Sequence, residues 1–451
     1  MQNLINRFWH SKKAWICFLG LFLFATFPGK GGFEGAQREI SSLSMRNDNW
    51  GFITPYYFGE FPNFGGYWRF ILVLIQISAV WICIFFLVKN LNFKSTKSKI
   101  VFLTYFIIVS VFSSQLWRDS TLFCFVIFGL GILKVALTSS NSLKWLLTVL
   151  GILAINFGLM FKPIFAILYL VFIIILLIEN SIPEKVTLLI IVALISLPFS
   201  PYTIDKYLGY KFNLQHVYPE QQPMIYDMAA IYCWGNTDKS RLQAAEVLKL
   251  VLKPKSELSS VCSYQILTSW DSLHTNRADW NISAPVERIT NSKTKFDTFK
   301  NLWQKTVLLN IREYIMAKKP FLAEVLTMGN SFVKPQNSVF GSFEILHSLN
   351  MLIWTIFYYF AIFFDKTRLL TVGFSILFFI SYFFLRALRS NISFKSFLKE
   401  NFKSILLFSN VIFLGLIATI AFVANNGRYV LPVILTTWLF TFRILFKSKA
   451  H

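Results

Sequence analysis

Polar and ionisable side chains in this chain gather beside apolar runs rather than inside them. The stretch "RNDNWGFITPYYFG", residues 46–59, holds one carboxylate, Asp48, between two asparagines. The stretch "QLWRDS", residues 115–120, holds Arg118 next to Asp119. A carboxylate can take a proton from a hydroxyl group, and a cation can stabilise the negative charge that develops on a leaving group. These residue types therefore suit a group-transfer reaction.

Further cations and aromatic rings lie at similar positions along the chain. Lys162 precedes Pro163, and Arg428 and Tyr429 stand in "NGRYVLP" at the start of the last apolar run. These cations suit a phosphate group. The rings that could stack on the faces of a sugar are Trp50, Tyr56, Tyr57 and Trp117.

Each candidate also has a structural interpretation. Asp48 between asparagines is a good turn former, because these side chains bond their own backbone. Arg118 and Asp119 also suit a helix start, where Asp119 or Ser120 caps free amides. Lys162 before a proline suits a tight turn, Arg428 suits a headgroup anchor, and the aromatic rings suit an interfacial belt.

The composition excludes an ordinary soluble domain. The chain has 451 residues, 55% of them hydrophobic and only 15% charged, whereas soluble domains are roughly 25% charged. Its apolar runs match the roughly 20 residues that a helix needs to cross a bilayer. The net charge of +22 resides largely in short loops, which favours the positive-inside rule over nucleic-acid binding. The sequence predicts an all-α polytopic membrane protein.

Basic residues assign the sides of the N-terminal region, residues 1–200. Residues 14–28 follow Arg7, Lys12 and Lys13 as in a signal peptide, but no small-residue cleavage site comes after them, so we expect a retained first helix with its N-terminus inside. The segment 89–99 has four lysines and no acid, so it is predicted to be cytoplasmic and the loop 29–68 to be outside. The other apolar runs of this region are 69–88, 100–114, 120–138, 144–161, 164–179 and 186–200.

Residues 201–343 contain no apolar run of membrane length and are predicted to form one mainly helical extracytoplasmic domain. Apolar residues recur at helical spacing in 241–253 and in 301–318. Cys233 and Cys262 could pair if the domain lies in an oxidising compartment. Asp227 and Asp271 receive no catalytic role, because nothing in their spacing suggests a partner.

The C-terminal region, residues 344–451, leaves two topologies open. Its apolar runs are 347–364, 369–385, 404–424 and 429–446. Counting all of them gives about eleven spanning helices and puts a basic segment outside, against the positive-inside rule. Treating 369–385 as re-entrant or interfacial gives ten and puts that segment and the C-terminal tail inside. We prefer the second count.

The layout resembles the GT-C class of membrane glycosyltransferases. The resemblance lies in the acidic first outer loop, the many short-looped helices, the mid-chain outer domain and the Arg-Tyr-x-x-Pro that begins at Arg428. It implies a polyprenyl-linked sugar donor and a loop carboxylate that serves as catalytic base or orients the acceptor. The matching residue here is Asp48, with Glu34 and Glu39 as alternatives. Many members have two adjacent acids, whereas this loop has Asp48 between asparagines. A divalent metal cofactor is therefore not indicated.

The expected activity is transfer of a sugar from a polyprenyl phosphate or pyrophosphate to an acceptor outside a bacterial inner or plasma membrane. Arg118, Lys162, Arg428 and Tyr429 would bind the lipid phosphate, and Asp119 is the alternative catalytic base. The partners would be the donor, a glycan, lipid or protein acceptor, and membrane lipids, with no nucleic acid. The alternatives are an O-antigen-type polymerase or ligase, a flippase or transporter of lipid-linked sugars, and a non-enzymatic assembly component.

Overall fold

The fold is seen in a computed structural model of the whole chain. The residues that the structure describes are 8–26, 67–88, 91, 93, 95–115, 118–139, 143–180, 203, 207, 211, 218, 221–254, 256–262, 285–287, 289, 292–327, 344–389, 393–421 and 430–446. Apart from one isolated bridge between Leu252 and Val286, the regular structure in these ranges is helical.

Ten described helices belong to the two apolar regions. They are α1 (Lys12–Thr26), α2 (Tyr67–Val88), α3 (Thr96–Ser113), α4 (Arg118–Thr138), α5 (Leu143–Phe161), α6 (Ala166–Glu179), α11 (Glu344–Lys366), α12 (Val372–Arg389), α13 (Phe394–Ala421) and α14 (Leu431–Phe446). Among the described residues, six helices are long and apolar enough to cross a membrane, and three shorter helices are apolar. The predicted helix at 186–200 lies outside the described residues, so the count of ten or eleven spans stays a prediction.

Contacts fix the relative directions of the N-terminal helices. The Gln76 amide of α2 donates to the Thr121 hydroxyl of α4 at 2.7 Å, and the Cys83 thiol donates to the Phe128 carbonyl at 3.4 Å. From the first contact to the second, the chain advances by seven residues in α2 and by seven residues in α4. The two helices therefore run parallel. Near the far end of α2, the Arg443 guanidinium of α14 donates to the Leu87 carbonyl. Helix α14 therefore ends beside the end of α2, and its Phe446 ring lies 5.2 Å from the Phe93 ring, centre to centre.

Glycines allow α4 to approach its neighbours closely. A Cβ atom on Gly129 would lie 2.5 Å from Ile155 and 2.6 Å from the Gly151 carbonyl in α5. On Gly131 it would lie 2.4 Å from the Cys83 Cβ atom in α2. Small residues are the usual means of close helix packing in membranes. This packing makes α4 and α5 a tight antiparallel hairpin, so the start of α4 and the end of α5 meet.

Helix α14 forms the centre of the helical bundle. All residues from Leu431 to Arg443 are buried except Trp438, which is partly buried. The Leu435 carbonyl accepts a hydrogen bond from the Tyr105 hydroxyl of α3 at 3.0 Å. A helix that is apolar on all sides belongs in an interior, and the buried hydroxyls of Thr436 and Thr441 bond carbonyls of their own helix.

Helix α12 overlaps the apolar run 369–385, for which the sequence leaves open whether it spans the membrane. It packs antiparallel to α13, because Phe379 contacts Phe408 while Arg386 contacts Glu400 further along. Several of its large apolar side chains are exposed, among them Leu377 and Phe384, as expected of a lipid-facing surface. The apolar length of α12 falls just below that of the six candidate spans. Its predicted re-entrant or interfacial placement stays a prediction.

The central region has four described helices and a hydrophobic cluster of its own. The helices are α7 (Gln221–Trp234), α8 (Asp238–Lys249), α9 (Lys293–Leu309) and α10 (Ile311–Thr327). Ile225, Leu248 and Phe299 are fully buried in this cluster. Val325 and Leu326, at the end of α10, pack instead against the cluster of the apolar regions. Helix α10 therefore joins the two clusters.

The segment 301–318, where apolar residues recur at helical spacing, belongs to two helices, because the helix breaks at Asn310. Asn310 ends α9 with non-helical dihedral angles, φ −127° and ψ 43°. Its side-chain amide donates to the Gln243 side chain of α8 at 2.7 Å and to the Thr306 carbonyl at 2.8 Å. Apolar spacing does not reveal this break, because the break is stabilised by a long-range hydrogen bond from the Asn310 side chain to Gln243.

A disulfide links α7 to the turn Leu258–Cys262. The sulfur atoms of Cys233 and Cys262 lie 2.10 Å apart, and the two residues are separated by 29 positions. This is the pair that the sequence analysis selected. The free cysteines among the described residues are Cys17, Cys83 and Cys124, in the apolar helices.

We expect Cys233→Ser with Cys262→Ser to lower the free energy of unfolding of the central region. Closing a loop with a sequence separation of 29 restricts the unfolded chain, which is worth about 3.5 kcal/mol in the loop-entropy model. The measurement is unfolding in detergent with and without reductant, and Cys17→Ser is the matched control. Wild-type stability that is the same under both conditions would contradict this expectation.

Candidate functional site

The tight hairpin of α4 and α5 brings together two of the residues selected from the sequence. Asp119 lies in the first turn of α4. Lys162 directly follows α5, where its carbonyl accepts a hydrogen bond from the Phe165 amide at 3.2 Å in the turn after Pro163. In an antiparallel pair of similar length, the start of one helix lies beside the end of the other. Asp119 at the start of α4 therefore meets Lys162 at the end of α5, although 43 positions separate them (162 − 119 = 43).

Asp119 and Lys162 form a buried ion pair. The Lys162 Nζ atom lies 2.5 Å from an Asp119 carboxylate oxygen, and the side chains are 10% and 0% exposed. The same Nζ atom lies 5.9 Å from the centre of the Phe165 ring. Removing two charges from water costs several kcal/mol each, so such a pair persists only with close mutual contact and further polar partners.

Further polar side chains lie in α2, in α4, in α6 and in the turn that follows α3, and we call the group Gln76, Gln115, Asp119, Thr121, Lys162 and Tyr169 the Asp119 cluster. Gln76 bonds Thr121, as described above. Tyr169 of α6 interacts electrostatically with Asp119. The Ser120 hydroxyl donates to the Gln115 backbone carbonyl. A polar cluster buried between apolar helices is the kind of feature that usually marks function in a membrane protein.

Gln115 is a member of the Asp119 cluster with unused bonding capacity. Its side chain is 0% exposed. Neither its amide nitrogen nor its amide oxygen has a hydrogen-bond partner among the described residues. An unsatisfied buried amide costs roughly 1–3 kcal/mol. A ligand hydroxyl or phosphate oxygen that reached Gln115 would satisfy its donor or its acceptor.

The ion pair changes what the two charged residues can offer. Sequence analysis gave Asp119 a role as alternative base and gave Lys162, separately, a role in phosphate binding. In the structure each charge is neutralised by the other at 2.5 Å. Either role therefore requires a ligand that contacts the pair as a unit or one that displaces a partner.

Most of the other predicted site residues lie outside the described residues. These are Asp48, Trp50, Tyr56, Tyr57, Trp117, Arg428 and Tyr429. Arg118 starts α4 next to Asp119, but its side chain is outside the described part of the structure. The roles assigned to all of them stay predictions.

A second buried ion pair lies near the other end of the helical bundle. The Arg443 guanidinium of α14 contacts the Glu179 carboxylate at the end of α6 and the Leu87 carbonyl at the end of α2. Nearby, the Lys134 Nζ atom donates to the Asn180 side chain at 2.7 Å. Sequence analysis did not select any of these residues. The signal that it missed was a single charge at the same end of three apolar runs.

The central region holds a third buried pair, which spacing could not reveal. The Lys318 Nζ atom lies 2.6 Å from one Asp227 oxygen, and the Trp303 indole donates to the other at 3.1 Å. Asp227 therefore has a partner, 91 positions away (318 − 227 = 91). Burial raises the pKa of Asp227, although Lys318 and Trp303 oppose the change. Burial, with the charge of Asp227, also raises the pKa of Tyr314.

The raised pKa of Asp227 predicts a pH dependence of stability. The folded protein binds this proton more tightly than the unfolded chain, so the free energy of unfolding falls as pH rises from the ordinary aspartate value, about 3.9, towards the raised value. We expect Asp227→Asn with Lys318→Met to remove this contribution. The measurement is the melting temperature in detergent from about pH 4 to pH 7. A double variant with the wild-type profile would contradict the assignment.

Within the described ranges, no three His, Cys, Asp or Glu side chains are arranged to hold a metal ion.

Together, the apolar helices and their buried polar clusters define an all-α, multi-pass membrane protein. Comparison of the chain with protein-family models, curated proteins and solved structures gives no match.

Proposed function

We propose that this protein is an integral membrane glycosyltransferase of the GT-C type. It transfers a sugar from a polyprenyl phosphate or pyrophosphate to an acceptor on the outer face of the membrane. The layout of helices, the loop acid Asp48 and the Arg428-Tyr429 pair support the class. The glycan, lipid or protein acceptor receives the sugar outside the membrane, and the transmembrane region holds the prenyl chain.

The Asp119 cluster is the observation that carries this proposal. A buried acid, lysine and glutamine at one end of an apolar bundle are costly to fold and are usually kept for function. The cluster lies at the end opposite the lysine-rich segment, which the positive-inside rule predicts to be the outer end. A lipid-linked donor has its phosphate at this depth, where its charged group and its prenyl chain are both solvated.

The proposed transfer is an attack of the acceptor hydroxyl oxygen on the anomeric carbon. The bond from that carbon to the phosphate oxygen breaks, the phosphate leaves with the electron pair, and the hydroxyl proton goes to a carboxylate. We assign the carboxylate to Asp48, because Asp119 is already bound to Lys162. Arg118 and Arg428 stabilise the charge on the leaving phosphate. The Asp119–Lys162 pair positions the donor.

A transporter of lipid-linked sugars is the second candidate function, and one observation favours it. Polar side chains lie buried between the two ion pairs on the central helix α14, where Thr436, Thr437 and Thr441 lead towards Arg443. A flippase needs polar groups along a path through the membrane. Thr436 and Thr441 bond carbonyls of their own helix, and the Thr437 hydroxyl has no hydrogen-bond partner among the described residues. One such hydroxyl does not make a path, so we rank this candidate second.

Reconstituted vesicles separate the two functions. Vesicles containing the protein receive a radiolabelled prenyl-phosphate sugar and a mixture of glycan, lipid and peptide acceptors. A transferase forms a labelled acceptor product, whereas a transporter only moves the labelled donor between leaflets. Donor movement without a product would overturn the enzyme proposal. Neither product nor movement, with any prenyl-phosphate sugar tried, would overturn both.

A further inference from the structure

Helix α10 carries an exposed apolar stripe in the region predicted to lie outside the membrane. Ile311, Ile315 and Leu322 are all exposed, and Ile315 is 61% exposed. They lie within about 40° of one another around the helix axis, since each residue advances about 100°. At the adjoining end of α9, Leu308 is 75% exposed. Apolar surface of this kind commonly marks an interaction site.

The stripe is continuous with a contact already made to the apolar helices. Leu326 lies about 60° from Ile311 around α10, and it packs against the cluster of the apolar regions. The backbone there is close to α12, because a Cβ atom on Gly373 would lie 2.6 Å from the Leu326 carbonyl. The face of α10 that carries the stripe is therefore the face that reaches the apolar helices.

Basic residues flank the stripe on one side. Arg312 and Lys319 are exposed and lie about 40–60° beyond Ile315 around the helix. Lys305 is exposed in the preceding helix. Long basic side chains can extend their apolar stems along a buried surface while their charges reach the headgroups. An apolar stripe with a basic flank is typical of a helix that lies in a membrane interface and favours anionic lipids.

The flank of α10 on the other side of the stripe from the basic residues is occupied by the protein itself, because Lys318 and Tyr314 lie about 20° and 60° from Ile311 in the opposite sense around the helix. There Lys318 pairs with Asp227, and its Nζ atom lies 5.7 Å from the centre of the Tyr314 ring. These contacts hold α10 against α7, so the helix cannot turn its stripe inward without breaking a buried ion pair. The stripe therefore keeps one orientation relative to the core of the central region.

We propose that α10 is an interfacial helix whose stripe, Ile311, Ile315 and Leu322, is seated among the lipid headgroups and upper acyl chains of the bilayer. This surface attaches the central region to the membrane along α10, beyond the contact at Leu326. The partner is a lipid surface with anionic headgroups. The inference does not depend on the proposed glycosyltransferase activity.

The test places a fluorescent label on the stripe of the full-length protein. Ile315→Cys is made in a Cys17→Ser background, because Cys17 is exposed, and the protein is reconstituted into vesicles of phosphatidylcholine and phosphatidylglycerol. Leu242→Cys is the matched control, since Leu242 is a 67% exposed leucine of the same region in α8. Quenching is measured with lipids brominated near the headgroup and with aqueous iodide.

We expect several-fold stronger quenching by brominated lipid at position 315 than at position 242, with the order reversed for iodide. Equal iodide quenching at both positions would overturn the proposal, because the stripe would then face water. Protection of position 315 from both quenchers would also overturn it, since a second copy or another protein would then cover the stripe. Leu308→Cys reports on the same surface if the Ile315 variant does not accumulate.

Discussion

Replacing Lys162 with methionine is expected to lower the free energy of unfolding by about 3–5 kcal/mol, because it leaves the buried Asp119 carboxylate without its charge partner. The double variant Asp119→Asn with Lys162→Met should recover most of this loss. It removes both charges, and an uncharged replacement of a buried ion pair is often close to neutral. We therefore expect Lys162→Met to be strongly destabilised and the double variant to have a free energy of unfolding close to that of the wild type.

The measurement is denaturant unfolding of the purified variants in mixed micelles. Lys395→Met is the matched control, because Lys395 is exposed and its replacement should change stability by less than about 0.5 kcal/mol. A double variant as unstable as Lys162→Met would show that the two charges do not act as a unit. The double variant also separates function from folding: it should fold, yet fail to transfer sugar.

Asp48→Asn is expected to reduce the rate of sugar transfer by about 10²–10⁴-fold, the usual contribution of a general base. The amide has nearly the same shape as the carboxylate, but it cannot take the proton of the acceptor hydroxyl. Binding of the donor should change little, because the phosphate is assigned to cationic side chains. The measurement is the initial rate of product formation at saturating donor, with expression and melting temperature checked.

Glu34→Gln and Glu39→Gln are the controls for this assignment, since they are the other acids of the same loop that the resemblance leaves open. We expect both variants to keep most of the wild-type rate. A large loss in one of them, with full activity in Asp48→Asn, would move the base to that glutamate and leave the transfer reaction itself in place.

Helix positions were largely predictable from the lengths of the apolar runs. The run 144–161 corresponds to α5, Leu143–Phe161, and 69–88 corresponds to α2, Tyr67–Val88. The exception is α13, which begins at Phe394 although the apolar run begins at 404. Its first ten residues include Lys395, Lys399 and Glu400. Hydropathy detects the part of a helix that suits lipid, but it misses a polar extension of the same helix.

The buried ion pairs were not predictable, because they depend on which helices pack together. Asp119 and Lys162 were each selected as candidates, but their contact follows from the glycine packing of α4 against α5. Asp227 received no partner from its local spacing, whereas the fold brings Lys318 to 2.6 Å. Local patterns fix helix positions and directions, and long-range packing decides which charges meet.

The most direct test of the central claim is sugar transfer by the purified wild-type protein in vesicles, measured beside Asp48→Asn and Arg428→Ala. The proposal predicts a labelled acceptor product from a prenyl-phosphate sugar with the wild type, and a loss of that product of about 10²-fold or more with each variant. Full transfer by both variants would contradict the site assignment. The absence of any product from the wild type, with every prenyl-phosphate sugar tried, would contradict the enzyme proposal itself.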